Sequence, residues 1–340
     1  MRFLDNFIWF LKYGRCNYYY NAYGLDIVNS NSGNYEDDKY MAIIRDCLNY
    51  TGNPKYSQNG ILKDKHLFYR YMKDIGLPTP AVFAYIINGE LFDIDMQSID
   101  INKLKSKKNY FIKSIDVDRG AGVTLINDHD DFILKQKMFS NGRFVLQERL
   151  TQHSELNRLY SASVNTLRLL TVKEKNDKVK MLVGCLRVGT LKSGNVDNWG
   201  KGGIAVGIKK DGSLYKYGFY KPYNGLGNIN KENYHPESKV EFENFIIPNF
   251  KIAVDIVIKA HEKYFYGLHS IGWDMAITEN GCSFIEGNDK WITALFQVTC
   301  GGMKKEWHDS ITQYVSDKEL KKYYSLKKHP LSWLYKEGII

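Results

Sequence analysis

No apolar run in the 340-residue sequence reaches the roughly 18 residues that a membrane-spanning helix needs. The N-terminal stretch also lacks a small-residue cleavage site behind an apolar core, so a cytoplasmic protein is expected, at most resting at the inner face of a membrane. Cysteine is scarce: Cys16, Cys47, Cys185, Cys282 and Cys300 are an odd, widely spaced set without a CxxC pair. That spacing argues against a disulfide framework or a zinc site and leaves buried free thiols as the expectation. There is no GxGxxG or P-loop, which sets aside the Rossmann and Walker phosphate sites, and there is no nucleic-acid motif, internal repeat or low-complexity linker. What is abundant is positive charge and tyrosine. A formal charge of +9 with 25 tyrosines suits a globular protein with an anionic partner such as a nucleotide, an acidic glycan or a membrane surface. The length suits two or three modest domains packed together.

The stretch IGWDMAITENGCSFIEGNDK, residues 271–290, carries the most chemistry. Alternation on either side of Glu-Asn-Gly predicts a β-hairpin with a three-residue loop centred on Asn280 and Gly281 in the left-handed position. That register sets Asp274 opposite Glu286, with Asn288 on the same side. Two carboxylates about 4 Å apart repel by roughly 4 kcal/mol at an effective dielectric near 20, so a proton, an arginine or a metal must lie between them. Hard oxygen donors of this kind suit Mg²⁺, and the alternative is a solvated hairpin whose acidic residues face water.

Upstream, residues 1–13 show helical spacing of Phe3, Phe7, Phe10 and Leu11, and this face is expected to pack on the body, with a membrane surface as the alternative. Residues 14–35 read as irregular and 36–50 as a helix. Asp64 is a candidate N-cap for a helix through Ile75, with Gly76 and Pro78 as stops. AVFAYII and ELFDI flank an Asn88-Gly89 turn, and a third strand carries Lys113 into Asp-Arg-Gly-Ala-Gly. A strand lysine beside a glycine loop can hold phosphates, although this stretch taken alone favours an ordinary hairpin with a surface lysine. The strand RFVLQERL ends at Gln147–Leu150, whose backbone suits an adenine edge, and Glu155 follows within reach of a ribose. Arg168 and Arg187 lie within the apolar strands NTLRLLTV and VKMLVGCLRVGT and require anionic partners. After SGNVDNWGKGGIAVGI, the stretch HPESKVEFENFIIPNF reads as a loop and a strand before a helix that ends near Gly267, with Ile252, Val254, Ile256, Val257 and Ala260 as its apolar positions. Residues 291–299 read as a buried segment, 305–315 as a closing helix and 318–328 as a basic solvated end. His235, Trp199, Trp273 and Trp291 are candidates for an acceptor pocket or for the core.

In this order the features resemble the ATP-grasp superfamily from about Ile61 to Trp291. HPES, IIP, IGWDMAIT and IEGNDKW are similar to its sugar-transfer-associated group. The resemblance implies an α+β fold in which two subdomains clasp ATP between antiparallel sheets: residues 1–60 as a helical and aromatic N-terminal region, 61–146 as the lid, 147–304 as the catalytic part with the magnesium site, and 305–340 as a helical tail. It matches Lys65 and Lys113 to the phosphate lysines and Asp118 to Gly122, with Arg119, Gly120 and Gly122, to the mobile glycine loop. Gln147, Glu148 and Leu150 match the adenine hinge, and Glu155 the ribose ligand. Asp274, Glu286 and Asn288 match the ligands of two magnesium ions, and Arg187, Lys113 and Asn288 the catalytic set. Where some members carry an arginine two residues before the metal aspartate, this sequence has Gly272, which passes that work to Arg187 or Arg168. The short aromatic N-terminal region does not read as the Rossmann-like domain of many members. The implied reaction is ATP-dependent carboxylate–amine ligation through an acyl phosphate, with an acidic sugar and an amino compound as substrates. A kinase and a non-catalytic ATP-binding accessory of glycan assembly are the alternatives.

Overall fold

The computed structural model describes residues 2–26, 31–50, 58–115, 122–174, 176–222, 230–311 and 314. The expected basic end at 318–328 lies outside them. Helices α1 (Arg2–Tyr13) and α2 (Asp38–Tyr50) precede a helical pair, α3 (Asn59–Lys63) and α4 (Lys65–Asp74). Asp64 separates that pair as the expected N-cap, accepting from the His66 and Leu67 amides at 2.8 and 3.0 Å. Gly76, at φ +71°, ends the second helix as read from the sequence.

Five strands follow: β1 (Val82–Ile87), β2 (Glu90–Phe92), β3 (Tyr110–Ser114), β4 (Val123–Ile126) and β5 (Arg143–Glu148). They form an antiparallel sheet in the order β2-β1-β5-β3-β4. The Asn88-Gly89 turn has positive φ at both residues, the form that matches the twist of a tight hairpin. Ile112, Leu146 and Ile86 face α5 (His129–Lys135) and the Phe139 turn, while Val82, Tyr85 and Val145 meet Tyr69 of α4 on the other side.

The short helix α6 (Ser154–Asn157) leads into a seven-stranded antiparallel sheet. Its members are β6 (Thr166–Lys173), β7 (Val179–Val188), β8 (Ile204–Ile208), β9 (Leu214–Tyr220), β10 (Lys231–Glu232), β11 (Ser270–Thr278) and β12 (Gly281–Asn288), in the order β10-β9-β8-β7-β6-β11-β12. One face packs on α4 and α7 (Phe250–Tyr264) through Phe68, Met72, Val257, Ala260 and Trp273. The other packs on α2, α8 (Thr293–Cys300) and α9 (Lys304–Ile311) through Ile44, Phe296 and Trp307. Covered on both sides, β6 and β11 are apolar along nearly their whole length, and the charged residues they carry must be paired where they lie.

Several expectations are corrected. β9 and β10 went unread, because LYKYGFY alternates around exposed tyrosines and a lysine rather than around aliphatic residues. The 235–249 stretch is loop with isolated bridges at Tyr234–Glu241 and Ser213–Ile246 instead of a strand. Helix α7 stops at Tyr264 rather than at Gly267, since the Phe265 amide turns back to Ala260 and His261, and Ile252 points to solvent. Helix α1 turns its phenylalanines outward instead of packing them on the body.

Candidate active site

The β11–β12 hairpin positions the acidic residues by a route the sequence did not show. Its turn is two residues long, Glu279 and Asn280, with Thr278 paired to Gly281 at φ +128°. A regular ladder from that turn would set Asp274 opposite Ile285. A register shift between Asp274 and Met275 inserts Ile285 as a bulge and restores the expected pairs, Asp274 with Glu286 and Gly272 with Asn288. Without the bulge the Glu286 side chain would point to the opposite face.

Asp274 is buried at the centre of a charged array. Arg168, its neighbour on β6, grips it bidentately, through Nε to Oδ1 and Nη2 to Oδ2, the latter at 2.8 Å. Arg187 of β7 adds Nη2 to the same Oδ2 at 2.9 Å. Arg187 also donates to Thr166 Oγ1 at 2.8 Å and reaches Asp197 at 3.4 Å. Asp197 in turn accepts from the Thr166 amide at 3.0 Å and from its hydroxyl. Glu286 stands 3.9 Å from Arg168, and Asn288 Nδ2 donates to the Gly272 carbonyl at 3.2 Å and to Glu286 at 3.3 Å.

Three carboxylates face two guanidiniums, and the imbalance decides the protonation. Burial alone would raise Asp274, but Arg168 and Arg187 outweigh it and hold its carboxyl below the usual range. The same partners act on Arg187: burial disfavours its charge, and Asp197, Asp274 and Glu286 raise its pKa above the usual value regardless. Glu286 is pushed up by burial and then by Asp274, with which it shares a hydrogen bond. Asp197 is also raised, by burial, against the pull of Arg187 and Thr166.

This donor set fits a hard divalent cation such as Mg²⁺. Both lone pairs of Asp274 Oδ2 are taken by guanidinium groups, which leaves Oδ1, the two Glu286 oxygens and the Asn288 amide oxygen on one side. The surplus carboxyl is the one a cation would relieve. Among the described residues no group of three His, Cys, Asp or Glu side chains could hold a metal alone.

Lys113 on β3 supplies the facing positive charge. Its ammonium donates to Gln147 Oε1 at 2.7 Å, and its pKa is pushed down to about 8 by burial and then by Lys65, against the opposing pull of Glu286 and Asp197. Lys65, Lys113, Glu286 and Asp197 therefore share one electrostatic neighbourhood. Gly122, at φ +76°, pairs its carbonyl with the Ser114 amide at 3.0 Å beyond Lys113, and a Cβ there would meet Ser114. Arg119 and Gly120 lie outside the described residues. At the hinge, Gln147 is buried, with its amide nitrogen on Pro80 O at 3.1 Å, so its side chain orients Lys113. Glu148 accepts from the Ala81 amide at 2.8 Å, and Leu150 is half-buried just past the strand. No contact joins Glu155 to this group: it pairs with Arg158 at 2.6 Å beside a groove lined by Val240, Glu241 and residues 243–246.

A Cβ at Gly272 would fall 2.7 Å from that of Trp291, with Arg168 Cδ in ordinary contact at 3.6 Å, and Arg168 and Arg187 are both brought to Asp274. Trp273, Trp291, Trp199 and His235 are all buried and serve the core: Trp291 bonds Ser270, Trp199 bonds the Phe219 carbonyl, and His235 meets the Gly189 carbonyl. Residues not singled out from the sequence are Thr166, Asp197 and Asn49, the last of which ties the Ser270 and Asp289 carbonyls together at 3.0 Å each. Asp197 lies 31 positions from its Thr166 partner, and no short spacing could have marked it.

The model of the sugar-transfer associated ATP-grasp family matches residues 134–307, a span that holds every acidic and arginine residue of this array but neither Lys65 nor Lys113. Similar solved structures include the ATP-grasp ligase PsnB complexed with a precursor peptide and AMPPNP, at 14% identity over 74% of this chain and 58% of that one, TM-score 0.41. The D-alanine–D-alanine ligase of Bacillus anthracis is 11% identical over 79% and 70%, TM-score 0.41. The biotin carboxylase domain of the Hydrogenobacter thermophilus 2-oxoglutarate carboxylase, complexed with ADP and magnesium, is 14% identical over 69% and 41%, TM-score 0.39. The chain spans about 41–60% of the length of the first three such structures. No curated protein matches it. Because the family model covers just over half of the 340 residues, the chain belongs to the sugar-transfer associated ATP-grasp family.

Proposed function

We propose that this protein is an ATP-dependent ligase that joins a carboxylate to an amine, with an acidic sugar such as a uronic acid of a surface polysaccharide or its precursor as the acid. The observation that carries the reading is the buried array of Arg168, Asp274, Arg187 and Asp197 opening onto Glu286, Asn288 and Lys113. A carboxylate is a poor electrophile. Its oxygen would attack the γ-phosphorus of ATP, the bond to the bridging oxygen would break, and ADP would leave. The amine nitrogen would then attack the carbonyl carbon of the acyl phosphate, expel phosphate and lose its proton to water.

Within that scheme Lys113 and Lys65 bind the phosphates, and Lys113 regains full charge as the anion arrives. Arg187, fixed by Asp274, Thr166 and Asp197, faces the oxygens that gain charge during transfer. Glu286, Asn288 and Asp274 Oδ1 would hold Mg²⁺, which when bound neutralises phosphate charge and polarises the transferred group. Arg168 positions Asp274. The acidic-sugar assignment rests on the family's description and on the +9 charge.

The test is ADP release with mass analysis of products across acidic sugars and amines. A product equal to acid plus amine less water, formed only when both are present, is the expected result. Glu286→Gln should lower turnover at least about 100-fold while leaving the fold intact. ATP binding without turnover under every pairing, or a phosphorylated acceptor without amide, would overturn the ligase reading.

A further inference from the structure

Helix α1 sits on the body with its faces reversed. Phe3, Leu4, Phe7, Ile8, Phe10 and Leu11 are 48 to 86% exposed. At 100° per residue they form one unbroken arc of about 160°. The remaining positions, Asp5, Asn6, Trp9, Lys12 and Tyr13, face the protein. Trp9 Nε1 donates to Asp37 at 3.4 Å, Tyr20 donates to Asp5 at 3.3 Å, and Tyr13 donates to the buried Glu36. Glu36 also meets His308 of α9 at 2.6 Å, which ties the two helices together. The polar side is the anchor, so the apolar arc is presented in place.

That arc amounts to roughly 600 Å², taking aromatic side chains near the low end of their usual area. A patch of this size stands at the upper limit of what monomers expose. It also falls short of the roughly 800 Å² per partner that a stable dimer buries. Charge identifies the other side. Lys304 of α9 lies against Lys12 at the end of α1, and Lys305 is next to it and exposed. Of the acidic groups here, Glu36 and Asp37 are buried and paired, Asp37 with Arg15 at 2.9 Å; Asp5 accepts from Tyr20, Asp38 is half-buried beside Arg15, the exposed Asp309 pairs with Lys305, and Glu306 is exposed. No helix among the described residues is long and apolar enough to cross a membrane.

We infer that α1 docks the protein in the plane of an anionic lipid surface. The phenylalanines and aliphatic residues would enter the boundary between headgroups and acyl chains, with Lys304 and Lys305 beside lipid phosphates. The inference is independent of the ligase reading.

The test is co-sedimentation of the full chain with vesicles of equal parts phosphatidylcholine and phosphatidylglycerol, against phosphatidylcholine alone. Binding to the anionic vesicles, weakened by salt, is expected. The triple variant Phe3→Gln, Phe7→Gln, Leu11→Gln should lower it at least about tenfold, and Lys304→Gln with Lys305→Gln by a smaller factor. Unchanged melting temperatures show that the variants are folded; Phe3, Phe7, Leu11 and Lys305 are exposed and Lys304 is half-buried. The inference is overturned if the folded triple variant binds like the wild type, if neutral vesicles bind equally well, or if the wild type ignores vesicles and forms a dimer that the triple variant abolishes.

Discussion

The two sheets hold their charged groups by different means. In the seven-stranded sheet, Arg168, Arg187 and Asp274 come from neighbouring central strands covered on both faces, and each is held by at least two polar contacts. In the five-stranded sheet, Lys113 stands one pairing from the edge strand β4, with a single hydrogen bond to Gln147. The acidic wall is thus pre-organised by its own ion pairs. The basic wall keeps an ammonium that burial destabilises. Fixed orientation belongs where charge develops during reaction, and an adjustable group belongs where substrate enters.

The largest effect that could break this contrast is on stability. Asp274→Ala would leave Arg168 without its bidentate partner, remove one of the partners of Arg187, and should cost about 3–5 kcal/mol by denaturant unfolding. Lys113→Ala should cost less than about 1 kcal/mol, because it removes a charge the fold already disfavours. Equal losses from the two variants would show that the walls do not differ. Next in size is Gly272→Ala. Its methyl group would meet the Trp291 Cβ at 2.7 Å, so a loss of about 1–3 kcal/mol is expected, with displacement of Arg168 visible as weaker turnover. An unchanged melting temperature would mean that the Trp291 side has room to yield.

The smallest effect is one of pH. Lys113 is charged below its pKa of about 8 and loses its proton as pH rises through that value. In the free enzyme, kcat/KM for ATP should therefore hold at lower pH and fall above about 8. Lys113→Arg, which remains protonated, should flatten that alkaline limb. A limb that survives the substitution assigns the break to another group.

The legible parts of this protein were those governed by neighbours in sequence. Asp64 before His66 and Leu67, Gly76 after α4, Asn88-Gly89 and the apolar run of β6 each act over a few residues, and the structure agrees with those readings. Hairpin alternation placed Asp274 against Glu286, although the pairing arises from a two-residue turn plus the Ile285 bulge. A bulge has no local signature, since it depends on what the hairpin packs against.

Tertiary structure alone decided the rest. Arg168 and Arg187 meet Asp274, and Thr166 and Asp197 hold Arg187, from three separate parts of the chain, and nothing in their spacing could announce the shared carboxylate. The outward turn of α1 is equally non-local. Its apolar stripe was plain in the sequence, but a stripe records only which residues share a face. Whether that face meets the body or solvent is settled by what the opposite side finds: Trp9 and Tyr13 reach Asp37 and Glu36, and the six apolar side chains of the other arc stay exposed. Amino-acid order determined the elements and which residues share each face. Packing determined which faces meet, because the free energy of a buried charge depends on its partners in space.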